Sequence, residues 1–109
     1  MIPRSDYIIR GTTPEIEIGT TISLVGAEEI YVTLKQGEGY VERTKDTFTE
    51  LEDDYLAFKL TQEETLSFDE SGRAGEWQIR AVFSNADRDA VACDEGVFYV
   101  GPIIKEGVI

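Results

Sequence analysis

"EIYVTLKQGEGYVERT", residues 29–44, is the stretch on which the fold turns. In its first half Ile30, Val32 and Leu34 fall on one side of an extended chain, and Tyr31, Thr33 and Lys35 fall on the other. That period of two marks a half-buried strand. Gly37 and Gly39 then punctuate the run before "YVERT" resumes it. Glycines between two strand patterns signal a hairpin, so Glu29 to Gln36 should pair antiparallel with Tyr40 to Thr44.

The same period continues towards both ends. "YLAFKL" turns Leu56, Phe58 and Leu60 inward and Lys59 outward. "EWQIRAVF" sets Trp77, Ile79, Ala81 and Phe83 against Gln78, Arg80 and Val82, which assigns Trp77 to the core. Shorter candidates are "EIEI" with Ile16 and Ile18, "AVAC", and "VFYV" from Val97 to Val100. Asn85, Asp87 and Asp89 predict a longer hairpin loop before "VAC". One helical turn is expected in "TQEETLSF", where Thr61 and Glu64 have capping-box spacing and Leu66 would face the core. The reading is an all-β chain, an antiparallel two-sheet β-sandwich of about seven strands with one short helical turn. Its 109 residues suit a single domain, 1–109.

"YIIRGTTPEIEIG", residues 7–19, contains a strand that breaks and resumes. Gly11 admits backbone conformations other residues avoid, and Pro14 has no backbone donor. A ladder must therefore end between them. A first strand that pairs with one sheet and then crosses to the other accounts for the pattern, with a bulge within one sheet as the alternative.

Charge narrows the partners. Ten basic residues against 22 acidic ones give a net charge of −12, which repels phosphate backbones and anionic lipid, so neither nucleic acid nor membrane is an expected partner. No run approaches the roughly 18 apolar residues of a membrane helix, and "MIPRSDYII" lacks the apolar region of a signal peptide, which predicts a cytoplasmic protein. Between Glu42 and Glu70, ten acids against three bases leave −7. Within that segment Glu50, Glu52, Asp53 and Asp54 form a candidate docking face for a basic partner, beside the plainer reading of a solvated surface.

Catalytic motifs are sparse. The sequence has no histidine and one cysteine, Cys93, so histidine-based hydrolysis, an internal disulfide and a cysteine zinc cage are excluded. The acids beside Cys93 disfavour a thiolate, and a buried or half-buried small residue is expected there. "NADRDA" imitates a calcium loop but has Ala90 where the turn glycine belongs and Gly96 where the bidentate Glu belongs. Weak calcium binding by these loop acids or by Glu52 to Asp54 stays as an alternative. "GEG" and "SGRAG" lack the lysine and the strand-to-helix setting of a phosphate loop and read as turns. No enzyme activity, metal or cofactor is expected. Tyr31, Tyr40 and Tyr55 on strands could form a stacking platform for carbohydrate, although ordinary cross-strand packing also explains them.

Taken together, "IIRGTTPEIEI", "YVTLKQG", "KLTQEETLSF", "GEWQIRAVFSNADRDAVACDE" and the terminal "GPIIKEGVI" resemble a group of short proteins encoded in tailed phages and prophages. The likeness spans nearly the whole chain. Its most specific elements are Arg10 to Pro14, Leu60 to Leu66 and Lys105 to Ile109. The resemblance implies a small immunoglobulin-like β-sandwich similar to the N-terminal domain of phage baseplate upper proteins, which anchors a receptor-binding assembly to the tail. The Trp77 strand is compatible with such cores, whereas the paired cysteines of antibody domains are missing. The implied role is a non-catalytic virion structural or tail-associated interaction module. Its implied partners are other virion or tail proteins and further copies of itself, and its location is the host cytoplasm during synthesis and then the virion. A small glycan- or ligand-binding module is the alternative. Gly101 and Pro102 should end the last strand, leaving Ile103, Ile104, Val108 and Ile109 on a terminal segment expected to contact a partner.

Overall fold

The structure, a computed structural model, describes residues 7–69, 73–84 and 89–101, with residues 89 and 90 described by backbone alone. Its strands are β1 (Tyr7–Ile9), β2 (Glu15–Gly19), β3 (Glu29–Gln36), β4 (Gly39–Thr44), β5 (Glu50–Glu52), β6 (Tyr55–Lys59), β7 (Gly75–Ser84) and β8 (Asp89–Gly101). A 3-10 turn at Lys45–Thr47 and the short helix α1 (Gln62–Leu66) complete the described elements. The strands form two sheets, one in the order β1-β8-β7-β3-β4 and one in the order β2-β6-β5. The chain is mostly β and sandwich-like, with a single core cluster fed by both sheets.

The 29–44 hairpin forms as read. Gln36 pairs with Gly39, and Gly37 takes φ 59° in the two-residue connection, where a right-twisted hairpin favours positive φ. The break in residues 7–19 is a crossing between sheets. β1 joins β8 in parallel within the larger sheet, while β2 pairs antiparallel with β6 in the smaller one. Gly11 has φ 81°, and the Pro14 carbonyl accepts the Leu60 N–H at 3.0 Å. A backbone acceptor is thus used just where proline offers no donor.

Alternation places the core. Ile16 and Ile18 of β2 and Leu56 and Phe58 of β6 face Ile30, Val32 and Leu34 of β3, Ile79 and Ala81 of β7 and Phe98 of β8 across the two layers, all of them buried. Phe68 meets Phe98 edge-on with ring centroids 5.3 Å apart, the arrangement favoured by the ring quadrupoles.

Four expectations need correction. "AVAC" and "VFYV" belong to one strand, β8, because the residues between them remain paired to β7. There Asp94 accepts the Thr21 N–H at 2.9 Å, and Gly96, opposite Trp77, leaves room for an indole that any Cβ would strike. Trp77 itself is half-buried and packs against the margin of the core. β5 was not anticipated, since "ELE" has one apolar residue and no alternation to read. In α1 the buried residue is Thr65, with Leu66 only half-buried. The Thr65 hydroxyl accepts the Gly11 N–H at 3.0 Å and donates to the Thr12 carbonyl at 2.8 Å, so α1 turns a polar face onto the crossing. The expected capping box is present, with the Thr61 hydroxyl accepting from the Glu64 N–H and the Glu64 carboxylate accepting from the Thr61 N–H. Among the described residues no helix is long and apolar enough to cross a membrane.

Candidate functional site

Residues paired across a ladder share a face, so the register fixes what each sheet shows to its surroundings. On β8, Phe98 and Val100 point inward, and Val97 and Tyr99 therefore point outward. β1 lies alongside with Ile8 buried and with Tyr7 and Ile9 on the outward side. Ile9 at 42%, Val97 at 48% and Tyr99 at 40% exposure make an apolar strip along the edge of the larger sheet. Outward positions of a half-buried sheet are normally polar. Farther along β8, Val91 is exposed too, opposite Val82. The sequence carried a signal for this strip, because "YII" and "VFYV" are apolar at every position and cannot all face one core.

Beside the strip, the outward face sinks into a shallow depression of about 500 Å³. Thr33, Lys35, Glu76, Trp77, Gln78, Glu95, Gly96 and Val97 line it. Cys93 is exposed on this same face opposite Arg80, which corrects its expected burial.

The proposed acidic docking face divides. Glu50 and Glu52 project from β5, and the register sets Glu50, Ala57 of β6 and Glu17 of β2 in one row. Glu15 lies one row away, opposite Lys59. The acids on this face thus come from both ends of a three-stranded sheet, a grouping no local reading could find. Tyr55 stands among them. Desolvation, a hydrogen bond to Glu17 and the charges of Glu17, Glu50 and Glu15 push its phenol up to about 12.

Asp53 and Asp54 form the β5–β6 turn instead. The Asp53 carboxylate accepts the Ser23 hydroxyl and the Val25 N–H, and these bonds hold its pKa below the usual carboxylate range. The Asp54 carbonyl accepts the Thr20 N–H at 2.8 Å. The Asp53 carboxylate and the Asp54 carbonyl thus pin the loop after β2.

Tyr31 and Tyr40 lie on the larger sheet and Tyr55 on the smaller one, so the three make no common platform. Ile103, Ile104, Val108, Ile109 and Asp87 lie outside the described residues, as does the side chain of Asp89. Among the described residues, no three carboxylate or thiol side chains are grouped to hold a metal ion.

A second concavity opens between the layers, where β2, at the edge of the smaller sheet, faces β1 and β8. This cleft of about 270 Å³ is lined mainly by apolar residues, Ile8, Ile16, Ile18, Leu34, Trp77, Val97 and Phe98, together with Glu17, Gly19 and Gly96. Among the described residues β2 pairs only with β6, which leaves the backbone groups of its other edge beside the cleft.

Compared with family models, curated proteins and solved structures, the chain matches none.

Proposed function

We propose that this chain is a non-catalytic, immunoglobulin-like interaction module of a tailed phage or prophage, associated with the tail or baseplate. The observation that carries the reading is the outward apolar strip of Ile9, Val97 and Tyr99. Contiguous apolar surface on an otherwise acidic protein marks a place for another protein. The sequence resemblance to short phage proteins supplies the setting. Strand order supports the immunoglobulin-like part. The larger sheet runs β8-β7-β3-β4 with a short first strand added in parallel beside the last, and the smaller one runs β2-β6-β5. That matches the G-F-C-C′ and B-E-D sheets of immunoglobulin domains. On this reading β2 and β7 would be the B and F equivalents, with the buried Ile16, Ile18 and Ile79 in the core and the tryptophan on F instead of C.

Coexpression with the products of flanking genes tests the role. One of those products should copurify with the chain at fixed stoichiometry, and Tyr99→Glu should abolish the complex while leaving the melting temperature within a few degrees. Flanking genes of host metabolism, or a complex indifferent to Tyr99→Glu, would overturn it. The second reading, a small glycan-binding module, is favoured by one feature, the depression lined by the hydroxyl of Thr33, the amide of Gln78, the carboxylates of Glu76 and Glu95, and Trp77. A glycan that quenches Trp77 and loses affinity in Gln78→Ala would support it.

A further inference from the structure

The outward face of the larger sheet is built in rows, because the register sets residues of four strands abreast. Tyr40, Lys35, Glu76 and Val97 make one row across β4, β3, β7 and β8. Glu42, Thr33, Gln78 and Glu95 make the next, and Thr44, Tyr31, Arg80 and Cys93 the third. On the two central strands each row joins residues of complementary chemistry, Lys35 with Glu76, Thr33 with Gln78 and Tyr31 with Arg80. Lys35, Glu76, Gln78 and Arg80 are exposed, and no ion pair or side-chain hydrogen bond ties them to other described residues.

We infer that this face binds a second copy of itself, about a two-fold axis running along the strands between β3 and β7. Such an axis exchanges β3 with β7 and β4 with β8, so each residue lands over the one it already matches in its own row. Lys35 meets the partner's Glu76, Thr33 the partner's Gln78 and Tyr31 the partner's Arg80. Tyr40, 59% exposed, covers the partner's Val97, 48% exposed, which removes two apolar side chains from water. A two-fold axis laid across the strands at the second row would instead set Glu42 and Glu95 each upon itself and leave Tyr40 over Thr44. The chosen axis has one mismatch, Glu42 over the partner's Glu95, and like charges in that position weaken the contact.

The charge distribution favours the same face. Lys35 and Arg80 stand in its central strands, whereas the smaller sheet shows Glu15, Glu17, Glu50 and Glu52 against Lys59 on the opposite side of the molecule. Two copies at −12 each repel least with the larger sheets together. Strands about 4.8 Å apart and rows about 6.8 Å apart give a flat face of roughly 400–500 Å², under the roughly 800 Å² per partner of a standard interface, which suits a weak and reversible dimer.

Sedimentation equilibrium on the full chain, from micromolar to millimolar concentration, tests this. The parent mass should rise to twice the monomer and stop there. Lys35→Glu and Glu76→Lys should each stay monomeric, with melting temperatures within a few degrees of the parent, because each sets like charges against the second copy. Net charge alone would drive these two variants in opposite directions, since one makes the chain more acidic and the other less. An equimolar mixture of the two should dimerise again, because each altered charge then faces an opposite one. Mixing could not repair a contact between positions 35 and 76 of the same chain. Glu95→Gln should dimerise several-fold more tightly. A parent that stays monomeric at millimolar concentration, a mass that grows past the dimer, a single variant that dimerises like the parent, or a mixture that stays monomeric would each overturn the inference. Tyr99 lies beyond these rows, since β7 begins opposite Phe98, so Tyr99→Glu should leave the dimer intact. The dimer can therefore fail while the Tyr99-dependent complex of the proposed function stands, and the reverse.

Discussion

The Gly11 N–H and the Thr12 carbonyl lie in the crossing between the sheets, outside either ladder, and the Thr65 hydroxyl satisfies both. Thr65 is fully buried, so water cannot replace the hydroxyl. Thr65→Val keeps the shape and removes the hydrogen bonds. It should destabilise the protein by about 1–3 kcal/mol, the cost of stranding buried polar groups, read as a lower urea midpoint at unchanged slope. An unchanged midpoint would show that water reaches the crossing. Hydropathy pointed to Leu66 here, because it weighs apolar surface and does not register backbone groups of a distant loop that need a partner. Trp77 was misjudged for a related reason. Its inward direction followed from the period of two, but its depth depended on Gly96, a neighbour across the ladder.

Elements whose signals are local were legible, including the 29–44 hairpin, the crossing with Gly11 and Pro14, and the capping box of α1. β5 was not, because pairing with β6 makes it a strand and nothing in "ELE" announces that. The acidic face escaped for the same reason, as Glu15 and Glu17 reach Glu50 only through β6. At α1, Glu64 both caps the helix and pairs with Arg43 at 2.5 Å, which ties the helix to β4. Partial burial acts to raise its pKa. Hydrogen bonds from Arg43 and Thr61, with the Arg43 charge, outweigh that and lower it. A carboxylate whose pKa is depressed on folding stabilises above its unfolded value, about 4.3, and loses that contribution as pH falls through the folded value. Glu64→Gln should therefore melt below the parent at neutral pH, and the gap should close on acidification below about pH 4. A gap that stays constant across that range would remove the ion pair from the account.

For the molecule as a whole, the relevant quantity is its charge of −12 on 109 residues. Acids crowd the outward face of the smaller sheet, where Glu15, Glu17, Glu50 and Glu52 surround Tyr55 with Lys59 as the neighbouring base. Such repulsion opposes the compact state and is screened over a Debye length of about 10 Å at 0.1 M salt. The melting temperature should therefore rise as sodium chloride increases from about 10 mM to about 500 mM, where most surface interactions between fixed charges are screened. Calcium chloride at matched ionic strength separates screening from binding. The sequence holds no complete calcium loop, with Ala90 and Gly96 at the positions of the turn glycine and the bidentate Glu, so the two salts should give the same curve. Stabilisation that saturates at micromolar calcium would instead indicate a specific site. Asn85→Ala with Asp87→Ala would then show whether "NADRDA" provides it, the one place where the sequence imitates a calcium loop.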